Sequence, residues 1–136
     1  MFADGSMTAV LGERWSAKAR PTSNTLEAEG VAAYRADDAA WQDGLALVPA
    51  TVVPHLTDDF RWGRLYAGVA AAPADLAIGV ASGSAVGLSP AGASVSGASV
   101  VVADGSGAAS WVSANGAFGA SGVVLDVFGS GDQLAR

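Results

Sequence analysis

The segment Ala93–Phe128, ASVSGASVVVADGSGAASWVSANGAFGASGVVLDVF, most narrows what this chain can fold into. Its apolar residues come in runs too short for a helix and rich in β-branched or aromatic types: Val100-Val101-Val102, Trp111-Val112, and Val123-Val124-Leu125 leading through Asp126 to Val127-Phe128. Glycine bounds these runs. Such runs suit a pleated, half-buried surface on which branched side chains pack between neighbours. Between them lie Asp104-Gly105 and Asn115-Gly116, dipeptides that accept the positive φ of a tight hairpin turn. Three or four short strands joined by hairpin connections are expected, and no residue here has the chemistry of a catalyst.

Upstream the texture is the same. Leu45–Val48 and Thr51–Val53 read as strands interrupted by Pro49 and closed by Pro54, because proline cannot donate to a ladder. Phe60, Trp62 and Arg64 alternate with Arg61, Gly63 and Leu65, and Tyr66 to Val69 would extend that strand. Leu76–Val80 and Ala85–Leu88 add two more, with turns at Pro73 and at Ser82-Gly83-Ser84. Strands recurring about every 8–12 residues point to an all-β sandwich or small barrel. From Thr25 to Gln42, helix formers gather Leu26, Ala33, Ala36, Ala40 and Trp41 on one face, while Val31, Ala33 and Arg35 alternate equally well as a strand. The expected fold is therefore mainly β: a Gly/Ala-rich barrel or sandwich with an extended N-terminal arm and room for one short helix. A core of Ala and Val buries little area per residue, at roughly 25 cal/mol per Å². Such a domain gains from partner subunits.

At 136 residues the chain has the size of a single domain. Of its 20 charged residues, 15 fall in Met1–Arg64, which makes the composition shift the clearest internal boundary. Met1 to Arg20 shows neither helical nor strand period and Pro21 closes it, so residues 1–24 read as an arm and 25–136 as one β-rich domain. The formal charge of −6, with Lys18 the only lysine, weighs against nucleic-acid and anionic-membrane partners, which need clustered cations. Between Asp75 and Asp104 run 28 uncharged residues, long enough to span a bilayer, but Pro90 and the many serines and glycines do not suit a span. No secretory signal is expected, since Asp4 stands where one carries positive charge. With no cysteine, disulfides and thiolate metal sites are excluded.

Each candidate for chemistry has a plainer explanation. His55, the only histidine, stands near Asp58 and Asp59 and has the make-up of a general base with a serine nucleophile, yet no Gly-x-Ser-x-Gly elbow accompanies it. A loop histidine after a strand-ending proline is the simpler reading. The pairs Asp37-Asp38 and Asp58-Asp59 lack the spaced oxygens of a calcium loop and read as solvated turns. Gly116, Gly119 and Gly122 are followed by no lysine, so they suit a bulge better than a phosphate cradle. No enzymatic activity, cofactor or metal is expected. The more suggestive set is Arg14, Trp15, Arg20, Arg61, Trp62 and Arg64, because Trp and Arg are enriched at interface hot spots. Trp62 and Trp111 also have the size to fill a core, and exposed tryptophans would offer a platform for sugars.

An irregular polar arm, then a Gly/Ala/Val-rich β domain, then the closing GASGVVLDVFGSGDQLAR together resemble the small capsid decoration, or cement, proteins of tailed bacteriophages. The likeness covers roughly Gly44 to Arg136 and lies in texture rather than in a motif. It implies a non-enzymatic virion protein on the capsid surface, made in the host cytoplasm and trimeric, that binds the major capsid protein and reinforces the shell. The arm would lie along the capsid or a neighbouring subunit by strand addition. The long charged first third departs from the simplest members and leaves room for a head-fibre or tail role, including a glycan-binding adhesin.

Overall fold

A computed structural model of the chain describes residues 12–18, 39–46, 48–57 and 62–134. The protein is mainly β. Among the described residues ten strands and one helix follow in the order β1 (Gly12–Lys18), β2 (Ala39–Asp43), β3 (Val48–Pro54), α1 (Trp62–Ala71), β4 (Leu76–Val80), β5 (Ala85–Ser89), β6 (Gly92–Ser96), β7 (Ser99–Asp104), β8 (Ala109–Val112), β9 (Phe118–Ser121) and β10 (Val124–Gly129). Six form a mixed sheet in the order β10-β7-β4-β3-β1-β2, while β5-β6 and β8-β9 are separate two-stranded ribbons. Among the described residues no sheet closes into a barrel.

Both faces of the large sheet are covered at its centre. Along β3, β4 and β7 successive side chains point to opposite faces. Val53, Ala77, Val101 and Ala103 pack with Leu65 and Val69 of α1, whereas Val52, Val80, Val100 and Val102 pack with Val95 of β6 and with Val86, Phe128 and Leu134. Hence the unbroken Val100-Val101-Val102: a strand buried on both faces has no polar side to alternate with.

The stretch around Trp62 is a helix, not the expected strand. Strands β3 and β4 are parallel neighbours, with Val52 opposite Ile78, so the chain after β3 must cross back over the sheet before it can enter β4. A helix makes that crossover. On it Trp62, Leu65 and Val69 fall three and four residues apart and share the face that packs on the sheet. The alternation read from Phe60 to Leu65 was short enough to fit either period. Pro49 and Pro54 likewise end up inside a single strand, β3, near the sheet's centre. The pairing of β1 with β3 shifts register between Gly12, opposite Val48, and Arg14, opposite Thr51, and this irregularity falls beside Pro49, which has no N–H to offer a ladder.

The expected arm is not separate over Gly12–Lys18. This stretch is β1, parallel to β3 on one side and antiparallel to β2 on the other. The helix-or-strand ambiguity of 25–42 resolves to strand where β2 begins at Ala39, and the rest of that stretch lies outside the described residues. Asp104-Gly105 does not close a hairpin either: β7 pairs with β10, and the turn leads into the β8-β9 ribbon. Asn115-Gly116 does close one, with Gly116 at φ 81°.

Two knots hold the ribbon β5-β6 on the sheet. Ser84 Oγ accepts hydrogen bonds from Ala98 N and Ser99 N, both at 3.0 Å, tying the start of β5 to the start of β7. After β10 the chain turns at Gly129–Asp132 and runs beside β6, where Leu134 N donates to Ala93 O at 2.7 Å and Val95 N to Asp132 O at 2.9 Å.

Candidate interaction surface

Of the six residues read from the sequence as an interface, four lie among the described residues. Arg14 and Trp15 lie on β1, an internal strand, in register with Asp43 and Gln42 of β2. Arg20 and Arg61 lie outside the described residues. Trp62 is half-buried against the helix-side cluster, consistent with its alternative reading as a core residue. Arg64, only 8 % exposed, is on the buried side of α1. The cause is the helix itself, which turns toward the sheet side chains that a strand would have alternated.

Trp111 reverses the other expectation. Rather than filling the core it is 54 % exposed, on a ribbon whose outer face nothing among the described residues covers. Its indole lies across Gly119, its cross-strand partner, at a position where any side chain would collide with the ring. A flat aromatic surface results, backed by strand and open to solvent.

The surface that the sequence did not disclose is the β10 edge. Leu125 and Val127 stand opposite Ala103 and Val101, so their side chains are on the same face of the sheet as α1. The helix packs chiefly over β3, β4, β7 and β9. Val127 is left 67 % exposed and Leu125 36 %. Val124 on the other face is exposed as well. A mostly apolar run, broken only by Asp126, reads as a buried strand, and only the strand order shows that this one ends the described sheet.

The backbone of that edge can be assigned from one bond between β4 and β7. Ala81 N donates to Ser99 O at 3.3 Å, which directs Ser99, and with it Val101 and Ala103, toward β4. Val100, Val102 and Asp104 then bond to their β10 partners Phe128, Asp126 and Val124, since antiparallel residues alternate between the two sides. The N–H and C=O groups of Leu125, Val127 and Gly129 consequently point outward. Gly129 fits this assignment: its N–H donates to Asp132 Oδ2 at 2.7 Å and its carbonyl accepts from Asp132 N at 3.1 Å, away from β7.

Two further features have the make-up of binding or reactive sites. His55, with a left-handed φ of 55°, sits after β3, and its Nδ1 is 2.7 Å from Ser82 Oγ after β4. Asp58 and Asp59 are outside the described residues, and among the described residues no third group orients the imidazole, so the contact amounts to one hydrogen bond between two loops. An apolar groove of about 210 Å³ opens between the large sheet and β5-β6, with Leu76 and Leu88 at its rim and Asp126 its one charged lining residue. Among the described residues no three His, Asp or Glu side chains converge as metal ligands, and no helix is long and apolar enough to cross a membrane.

Fold and surface together define a mainly β protein whose described sheet ends on a strand with exposed apolar side chains. No protein-family model matches the chain, and no curated protein matches its sequence.

Proposed function

We propose that the chain is a non-enzymatic structural protein of a virion, a decoration protein that docks on the major capsid protein lattice of a tailed phage and reinforces the shell from outside. The observation that carries this reading is the concentration of exposed apolar side chains, Trp111, Val112, Val124, Leu125 and Val127, on β8 and β10. Exposed apolar patches of this kind mark interaction surfaces. The net charge of −6 directs such a surface toward protein rather than phosphate. Many modest contacts repeated over a lattice would hold the shell by avidity. Co-sedimentation with tailed-phage head shells stripped of their decoration protein tests the proposal. Saturable pelleting with the shells is expected, and a chain that stays in the supernatant at every shell concentration would refute it.

A second reading is favoured by Trp111 alone. An indole braced over Gly119 and facing solvent is a stacking platform for a sugar ring, as in a glycan-binding adhesin. A shift of tryptophan fluorescence on adding glycans, abolished by Trp111→Ala, would move the assignment to that class.

A further inference from the structure

We infer that Asn115 is a site of spontaneous covalent modification, deamidation through a cyclic imide with Gly116, and that the closed β8-β9 hairpin restrains the reaction until the ribbon opens.

The chemistry resides in the pair itself. The backbone nitrogen of Gly116 attacks the side-chain carbonyl carbon of Asn115, the new C–N bond closes an imide ring, and Nδ2 leaves as ammonia with the amide proton. Water then opens the ring. Hydrolysis at the new bond leaves aspartate, and hydrolysis at the old one, between the Asn115 carbonyl carbon and Gly116 N, leaves isoaspartate. One water enters and one ammonia departs, with no catalyst or cofactor. Glycine favours the step because it has no Cβ to crowd the attacking nitrogen. Asn24, the other asparagine, is followed by Thr25, whose branched side chain does crowd it.

Asn115 is exposed at the tip of the hairpin, so water reaches it. Both reacting groups are nonetheless held. The nitrogen must shed its proton to attack, and the Gly116 N–H is donated to Ser113 O at 2.9 Å. The carbonyl must turn its face to that nitrogen, and Asn115 Oδ1 is held by Ala117 N at 3.1 Å and by the Ser113 hydroxyl. Ser113 is fixed in turn, its N–H donating to Ala117 O at 2.9 Å and its hydroxyl contacting the same oxygen at 3.1 Å. The two donors on Oδ1 also draw charge from the carbonyl carbon, which taken alone speeds attack. The bond from Gly116 outweighs them, because the imide nitrogen carries no hydrogen and the ring cannot close while that bond persists. Isoaspartate then adds a methylene to the main chain at the turn and displaces the bonds between Ser113 and Ala117.

Incubation at mildly alkaline pH, folded and in urea, tests this, with chymotryptic cleavage after Trp111 and Phe118 isolating the peptide that holds Asn115. The readout is the mass gain of an amide converted to an acid. It separates Asn115 from the aspartate-glycine pairs at Asp4, Asp43 and Asp104, whose rearrangement through the same imide changes no mass. We expect conversion at least about tenfold slower in the folded chain, the factor that corresponds to about 1.4 kcal/mol of ribbon opening. Ser113→Ala, which frees one side of Asn115 Oδ1, should quicken conversion in the folded chain and leave the rate in urea unchanged. Exchange of the Gly116 amide hydrogen should quicken in the same variant, since both processes need the bond to Ser113 O open. The inference is overturned if Asn115 converts as fast folded as in urea, if it stays an amide in urea, or if folded Ser113→Ala converts more slowly than the unmodified chain. Should Ser113→Ala fail to fold, the folded and urea rates of the unmodified chain still decide.

Discussion

Thr51 and Gly97 show how single residues limit this fold. Thr51, 1 % exposed in the middle of the large sheet, has no hydrogen-bond partner for its hydroxyl among the described residues. A buried hydroxyl without a partner costs about 1–3 kcal/mol. Thr51→Val, which exchanges it for a methyl group, is therefore expected to raise stability by about 1 kcal/mol in urea unfolding. A loss of stability instead would show that the hydroxyl is bonded. Gly97 combines a φ of 92° with a backbone approach so close that a Cβ would meet the Gly83 carbonyl, whereas Gly83, at φ 73°, has open space around the same position. Gly83→Ala should cost only the strain of a left-handed residue, about 1 kcal/mol. Gly97→Ala should cost clearly more, because the obstacle is backbone and cannot rotate away. Equal losses for the two variants would mean that the β5-β6 ribbon lifts off the sheet easily.

At the scale of elements, the β8-β9 ribbon stands apart from the large sheet, and every residue of β8 is exposed. Its turn depends on Asn115, whose Oδ1 accepts from Ala117 N at 3.1 Å and also contacts the Ser113 hydroxyl. Asn115→Ala removes that acceptor at a cost of about 0.5–1.5 kcal/mol. Hydrogen exchange is expected to quicken for β8 and β9 amides while those of β3 and β7 stay protected. Parallel loss of protection in β3 would show that ribbon and sheet open as one unit. The hairpin itself could be read from Asn115-Gly116, because turn chemistry is local. The helix α1 could not. Trp62, Arg64 and Leu65 satisfy a strand's alternation as readily as a helix's stripe over so few residues, and the deciding fact is that β3 and β4 are parallel.

Across the whole molecule, β1 brings a segment near the N-terminus into the large sheet, with strands on both sides. A free arm would be cut at Arg14 by trypsin, but a peptide bond held in a ladder does not enter a protease cleft without local unfolding. In the folded protein the bond after Arg14 is expected to resist limited digestion, as mass mapping of fragments would report. Rapid cleavage there would show β1 undocked. The mixed sheet also explains how short Ala- and Val-rich strands suffice, since α1 covers one face and β5-β6 with Leu134 the other.

What the sequence determined by itself is the material: mainly β, glycine-turned, acidic, with small apolar side chains and no cysteine. These follow from φ preferences, side-chain branching and charge, which act over a few residues. Strand order was decided only in three dimensions. Whether Val124–Gly129 is central or an edge, whether Trp111 or Trp62 faces solvent, and whether Arg64 is inside all depend on which segments meet across long loops. Two strands of the same apolar texture, β7 and β10, thus meet opposite ends: one is covered on both faces, and the other, at the end of the described sheet, leaves Val124, Leu125 and Val127 exposed.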